Sequence, residues 1–240
     1  MPKIIGNKPK FYEKARAWYK KQGKIDVPGF KRIEIKNNKN SLLVVFNGKR
    51  YELRKFGQGY ANILRKKPIY TFVSEQGRIL VVTEFLHKTL TKELVLEIDA
   101  YHADLLAGDV GFRRLLHTNV NIILDLEIAY DSYFYWCQGV NKKHLTGQAP
   151  EWLKGKGFGL FVESLRQIRL AKLGVSKWFA SIIPEKESLE FAELRGFRKP
   201  TLEEILLLAK ATLRKEPDKR TIRQMLKIYH VKDIPPIKGK

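Results

Sequence analysis

Cysteine is nearly absent from this chain. Cys137 is the only one in 240 residues. A single thiol excludes an internal disulfide framework and suits a reducing cytoplasm, the location expected here. Methionine is also scarce, at two residues, while Lys and Glu are frequent, a compositional pattern compatible with a thermophile. No uninterrupted apolar run approaches the roughly 18 residues that a membrane-spanning helix needs, so no membrane partner is expected. Met1–Gly6 opens no long apolar stretch, so no secretory leader is expected. His87, His102, His117, His144 and His230 follow no metal-ligand spacing, and Cys137 has no Cys partner, so no metal site is expected. Gly155-Lys156 is not followed by Ser or Thr, which excludes a Walker loop. No Ser/His/Asp signature is present. Asp125 and Glu127 alternate along a strand-like run, with Asp99 and Asp104 upstream, which keeps a metal-dependent nuclease as a minor alternative. Position 129, where such a site places Lys, is Ala129, and solvated or salt-bridged strand ends explain the same acids.

Acidic residues are outnumbered, 25 against 46 Lys and Arg, for a formal charge of +21. This excess favours a polyanionic partner, DNA or RNA before an acidic membrane surface. It is uneven. Residues 1–90 carry 21 basic against 6 acidic side chains, residues 91–150 carry 5 against 8, and residues 199–240 carry 11 against 5. Three parts are expected: a basic β-rich module over 1–90, an α/β domain over 91–198, and a basic helical module over 199–240. The fold class expected is α+β and multidomain.

In the first part, Phe11–Gln22 has helical spacing, with Phe11, Ala15, Trp18 and Tyr19 on one face. Asp26-Val27-Pro28-Gly29 is a turn cluster. Strand-like runs follow at 30–36, 41–46 and 49–56, and Asn47-Gly48 marks a two-residue hairpin because both positions of a type I′ turn need φ > 0. Ile69–Ser74 and Arg78–Phe85 make a second hairpin. Lys31, Arg32, Lys49, Arg50, Arg54, Lys55, Arg65, Lys66 and Lys67 lie on these strands and loops, with Tyr51, Phe56 and Tyr60 among them. Cations interleaved with aromatics suit single-strand binding. A half-buried sheet with its aromatics in the core suits the same pattern.

The second part reads as Leu94–Ile98 strand, Asp99–Ala107 helix, Val110–Leu116 helix, two β-prone runs at 121–129 and 132–140, and a helix over Phe158–Leu173. That helix carries an apolar stripe of Phe158, Phe161, Val162, Leu165, Ile168 and Leu173. Trp178–Ile183 reads as a strand. In the third part, Thr201-Leu202-Glu203-Glu204 is a capping box opening a helix over Leu202–Leu213. A second helix over Lys219–Tyr229 sets Ile222, Met225, Leu226 and Tyr229 on one face and Arg220, Arg223 and Lys227 on another. This pair suits either a groove-reading helix-turn-helix or a helical hairpin capping the α/β domain. The tail from Ile234 reads as extended or disordered.

Lys154-Gly155-Lys156-Gly157-Phe158-Gly159 opens directly into the central helix. Glycines there let backbone N–H groups approach an anion, and the helix start adds partial positive charge. A tight turn into the helix explains the same glycines.

The segment from Pro150-Glu151-Trp152 through Lys154–Gly159, the helix to Gly174, the strand at 178–183 and Ser188–Phe197 resembles the acyl-CoA-binding core of the GCN5-related N-acetyltransferases. The resemblance covers residues 150–197. It implies a mixed sheet splayed between two strands, placed here at His144–Ala149 and Trp178–Ile183. It also implies that the Lys154, Gly155, Lys156, Gly157, Phe158 and Gly159 amides take the pyrophosphate of acetyl-CoA. Lys154 stands where the family has Arg or Gln, and Ile183 where it often has Asn. Ala192 stands where many members carry a tyrosine acid. After Phe197 the chain enters a helix instead of the family's two last strands. The function expected is nucleic-acid binding through sequence-nonspecific phosphate contacts by the basic end modules around an acetyltransferase-like scaffold. The alternatives are an acetyl-CoA-dependent N-acetyltransferase and a structural or interaction protein.

Overall fold

The computed structural model describes residues 27–34, 36–38, 41–54, 67–89, 93–107, 109–137, 145–146, 149–182, 186–213 and 216–236. The expected helix Phe11–Gln22, together with Lys55, Phe56, Tyr60, Arg65, Lys66 and Ile183, lies outside them. The chain divides into two compact units. One comprises residues 26–121 and 132–166, the other residues 1–25, 122–131 and 167–240.

In the first unit, Pro28 and Gly29 turn the chain, with the Phe30 N–H donating to the Val27 carbonyl at 3.0 Å and Gly29 at φ +80°. Only glycine holds that conformation cheaply. Strand β1 (Phe30–Arg32) follows, then β2 (Lys36–Asn38), β3 (Ser41–Phe46) and β4 (Lys49–Arg54), which form a separate three-stranded sheet. Asn47 and Gly48 join β3 to β4 at φ 48° and 74°, the two positive values expected of them. Strands β5 (Lys67–Ser74), β6 (Arg78–Lys88), β7 (Leu94–Asp104) and β8 (Asp109–Ile123) continue the main sheet in the order β1-β5-β6-β7-β8. A core of Val44, Phe46, Leu53, Val73, Ile79, Val81, Tyr101 and Phe112 joins the small sheet to the large one. Tyr51 packs against that core, so this aromatic serves packing and not a binding surface.

The expected helices at Asp99–Ala107 and Val110–Leu116 are strands. β7 extends through Asp104, and it pairs antiparallel with β6 in unbroken register from Arg78↔Asp104 to Lys88↔Leu94. Ala and Leu favour helix only by tenths of a kcal/mol per residue, which a long ladder overrides. The 2-residue alternation was present: Tyr101, Ala103 and Leu105 are buried, while His102 and Asp104 are half-buried. The β6–β7 ladder also crosses the boundary expected at residue 90.

β9 (Ile128–Cys137) leads to β10 (Leu145–Thr146), which pairs with the end of β9 through Leu145↔Cys137 and Thr146↔Trp136. A 3₁₀ turn, Glu151–Leu153, precedes helix α1 (Phe158–Lys172). Phe158, Phe161, Val162 and Leu165 are buried as expected, but Ile168 is 38% exposed and Leu170 takes the inward place. The Phe161 ring meets Tyr70 and Phe72 edge-on at 5.6 and 5.4 Å, which fixes the start of α1 against β5.

In the second unit, strand β11 (Lys177–Ser181) pairs parallel with β9 over Lys177↔Ile128, Trp178↔Ala129 and Phe179↔Tyr130. The parallel neighbour of β11 is therefore β9, and Leu145 and Thr146 of the expected 144–149 strand pair with the far end of β9. Helices α2 (Lys186–Leu194), α3 (Leu202–Thr212) and α4 (Lys219–Ile228) follow, then β12 (Tyr229–Asp233). β12 pairs antiparallel with β11 from Lys177↔Asp233 to Ser181↔Tyr229. The sequence concealed this strand, because Tyr229 continues the apolar spacing of α4. The capping box is present: the Thr201 hydroxyl accepts from the Glu204 N–H, and the Glu204 carboxylate accepts from the Thr201 N–H. Ile205, Leu208 and Ala209 of α3 and Met225 of α4 bury against Ile128, Phe179 and Val231. The apolar face of the helical pair thus covers the β9–β11–β12 sheet.

A candidate phosphate loop and an aromatic–cationic face

The glycine run forms a compact approach to α1. The Lys154 N–H donates to the Pro150 carbonyl at 3.0 Å, and the Lys156 N–H to that of Leu153 at 3.3 Å. Gly155 and Gly157 sit at φ +72° and +70°, a left-handed conformation that glycine holds at least cost. The first intrahelical bond runs from the Phe161 N–H to the Gly157 carbonyl at 2.9 Å. The amides of Phe158, Gly159 and Leu160 precede it, at the partially positive end of the helix. Of the six amides expected to cradle a pyrophosphate, those of Lys154 and Lys156 are thus directed to carbonyls. A Cβ built on Gly155 meets nothing within 4 Å, so the space beside the loop is open. Lys154 is exposed and pairs with Glu151.

Beside the loop, Trp152 and Arg78 form a stacked pair, the guanidinium 4.9 Å from the ring centroid. Phe30 and His102 flank the same indole at 6.4 and 5.4 Å, both tilted by 49°. The Lys156 ammonium lies 5.5 Å over the Phe30 ring. Arg78 is steadied by Asp104 at 3.8 Å, whose carboxylate also accepts from the Leu106 and Ala107 N–H groups. Two hollows share the Arg78–Trp152 wall. One, of about 340 Å³, includes His102, Asp104 and Arg113. The other, of about 360 Å³, includes Phe30, Gln76, Glu151 and Lys156. Sequence reasoning missed this face, since Arg78 and Trp152 meet only through the folded sheet.

A third cluster centres on Asp99, which is fully buried on β7. Its carboxylate lies 2.7 Å from His117 Nδ1, accepts from the Tyr101 hydroxyl at 3.1 Å and stands 3.8 Å from Arg114. Burial, then the Asp99 carboxylate, push the Tyr101 hydroxyl well above its ordinary pKa. A carboxylate that holds imidazole Nδ1 fixes the tautomer and leaves Nε2 as the acceptor, the arrangement used in acid–base work. The acids named for a nuclease do not assemble. Asp125 lies in the 3₁₀ turn Leu124–Leu126 and Glu127 follows it at φ 52°, so they do not alternate along one strand. Among the described residues no group of three or more His, Cys, Asp or Glu is placed to hold a metal.

The expected nucleic-acid contacts are scattered. Lys31 and Arg32 are exposed on β1, beside Phe30 of the stacked face, and the Arg32 guanidinium lies 4.8 Å over Tyr70. Lys49 and Arg50 are exposed at the β3–β4 turn. Arg54 and Lys67 lie in β4 and β5. In the other unit, Arg220, Arg223 and Lys227 are exposed on α4. Among the described residues no helix is long and apolar enough to cross a membrane.

No protein-family model matches the sequence, and no curated protein matches it. Among solved structures, the crystal structure of Tetrahymena GCN5 is similar over 69% of this chain and 74% of that chain, with a TM-score of 0.35 and 8% identity. At those values the likeness assigns neither a family nor an activity.

Proposed function

We propose that the chain binds a coenzyme A thioester at the loop 154–160, as an acyl-CoA-dependent N-acyltransferase does. The observation that carries this reading is the loop itself: two left-handed glycines, Gly155 and Gly157, deliver the chain into the open first turn of α1. Such a turn suits a pyrophosphate, because its N–H groups and the helix dipole converge on one anion. Lys154 and Lys156 add positive charge. Two further features support the reading. β9 and β11 are parallel neighbours joined through α1, and β12 supplies one strand after Phe197, where the sequence resemblance implies two. Ala192 is 2% exposed and carries no proton donor, so the acid for a leaving thiolate has to come from elsewhere. Asp99 and His117 form a carboxylate–imidazole pair at 2.7 Å elsewhere on the sheet, on β7 and β8.

Calorimetry and thermal shift with acetyl-CoA test the reading. Binding in the micromolar range is expected, competed by CoA and weakened by a Gly157→Trp change that fills the approach to the first turn. No heat and no thermal shift at millimolar acetyl-CoA would remove it.

A further inference from the structure

We propose that the Arg78–Trp152 wall is a binding platform for single-stranded nucleic acid, with one base lodged on each side of it. Five observations converge. The wall is a guanidinium stacked on an indole, 4.9 Å from the ring centroid, with Phe30 and His102 edging the same ring. The two hollows beside it, about 340 and 360 Å³, fall at the lower end of the range of small-ligand sites, about 300–1,000 Å³. Cations rim both: Arg113 on one side and Lys156 on the other, with Arg78 between them. The acids present, Asp104 and Glu151, are engaged with Arg78 and Lys154 respectively, so they do not face a ligand as bare charge. The chain as a whole carries +21.

Open hollow, flat wall and open hollow in succession is the arrangement that successive splayed bases need, while the rim cations follow the phosphates. A duplex hides its base faces, and an acidic peptide has none to stack. Stacking of this kind tolerates every base, so little sequence preference is expected. The site shares the Lys156 side chain with the phosphate loop but uses none of that loop's amides. Its variants touch neither Gly155 nor Gly157, and its failure leaves the acyl-CoA reading standing.

The test uses the full chain and a short fluorescein-labelled oligouridylate, read by anisotropy across a salt series. Micromolar binding at low salt is expected, weakening steeply as salt rises. Trp152→Ala should weaken binding about ten- to a hundredfold, the worth of one stacked base, while Trp152→Phe retains most of it. Arg78→Ala should lower affinity and reduce the salt slope by about one. Ultraviolet crosslinking of the unaltered chain to the same oligonucleotide supplies an arm that needs no folded variant. Crosslinks at the peptides carrying Trp152 or Phe30 support the platform. Absence of binding at low salt would overturn the proposal. So would crosslinks confined to the helical pair α3–α4, affinity unchanged from that of the unaltered chain in both alanine variants, or complete displacement of the oligonucleotide by free CoA at its own binding concentration, which would give the face to the cofactor.

Discussion

The Arg198 guanidinium donates to both carboxylate oxygens of Glu204, at 2.8 and 2.7 Å. The same carboxylate accepts from Lys177 at 2.8 Å and from the Thr201 N–H at 2.8 Å, while Arg198 also reaches Asp233 at 3.0 Å. Three segments are fastened at this point: the strand pair β11–β12, the chain before α3, and the first turn of α3 itself. Arg198, then Lys177 and the Thr201 N–H, hold the Glu204 carboxyl far below the usual carboxylate range. Lys177 first, then Arg198, lower that of Asp233. Glu204 is 8% exposed, but the side chains of Arg198 and Asp233 are 42% and 59% exposed.

Replacing Glu204 by Gln should therefore cost about 2 kcal/mol, between the worth of a surface pair and that of a buried one. Gln still reaches back to the Thr201 N–H, so the capping box survives and the loss reports the charges alone. A carboxyl whose folded pKa is depressed contributes stability above its unfolded pKa, about 4.3 for Glu, and loses it as pH falls toward the folded value. Urea unfolding of the unaltered chain should show stability falling from about pH 5 downward, and Glu204→Gln should flatten that fall. An unchanged pH slope in the variant would count against the network as its source.

That network divides into parts the sequence showed and parts it hid. The Thr201–Glu204 box was legible because capping is local: four consecutive residues hold all its partners. The Asn47-Gly48 turn was legible for the same reason. Arg198 and Asp233 were not, because they meet only after β12 returns to β11, and β12 was concealed by the helical spacing of Tyr229. The β7–β8 region failed differently. Asp99–Ala107 has helix-forming composition, and only the pairing with β6, the preceding strand, decides for strand. The loop 154–159 was visible from glycine spacing, whereas the carbonyls that take the Lys154 and Lys156 amides were not. The Arg78–Trp152 stack left no trace in either local sequence.

The Asp99 cluster gives a second prediction. Asp99→Ala removes the acceptor of the Tyr101 hydroxyl and the partner of His117 Nδ1 at once, and Tyr101 is only 2% exposed. A buried donor left without its acceptor is costly, so a loss of about 3 kcal/mol is expected in chemical denaturation. Tyr101→Phe alone should cost about 1 kcal/mol. In the Asp99→Ala background the same change should cost nothing or help, because it removes the orphaned hydroxyl. Additive losses in the double-mutant cycle would deny the coupling.

Trp178 tests how β9 and β11 are tied within their unit. Its ring is wholly buried against Phe197 at 5.3 Å, and its indole N–H donates to Asp131 at 2.7 Å. Trp178→Phe keeps an aromatic ring but loses the bond and part of the volume. Together these should cost about 2–3 kcal/mol. Hydrogen exchange should locate the loss in β11 and β12. Faster exchange confined to β6 and β7 would be the contrary result.

Gly155 and Gly77 share a backbone conformation and differ in surroundings, which separates strain from crowding. Gly77 stands at φ +75° in the β5–β6 turn, and a Cβ there falls 2.9 Å from Leu106 Cγ and 3.5 Å from Phe46 Cε1. Gly155 stands at φ +72° with nothing within 4 Å. Gly155→Ala should then cost only the left-handed penalty, about 1–2 kcal/mol, and Gly155→Asn less, because Asn tolerates that region. Gly77→Ala carries the same penalty plus displacement of Leu106. Leu106 is 63% exposed and can swing aside, whereas Phe46 is held in the core, so the excess over Gly155→Ala should stay below about 1 kcal/mol. Equilibrium unfolding of the three variants measures both terms. For the phosphate loop the useful comparison is Gly155→Asn, which keeps the fold while placing a side chain in the open space beside the first turn of α1. Weaker acetyl-CoA binding with little lost stability is the outcome expected if an anion approaches there. Unchanged binding would place that anion elsewhere.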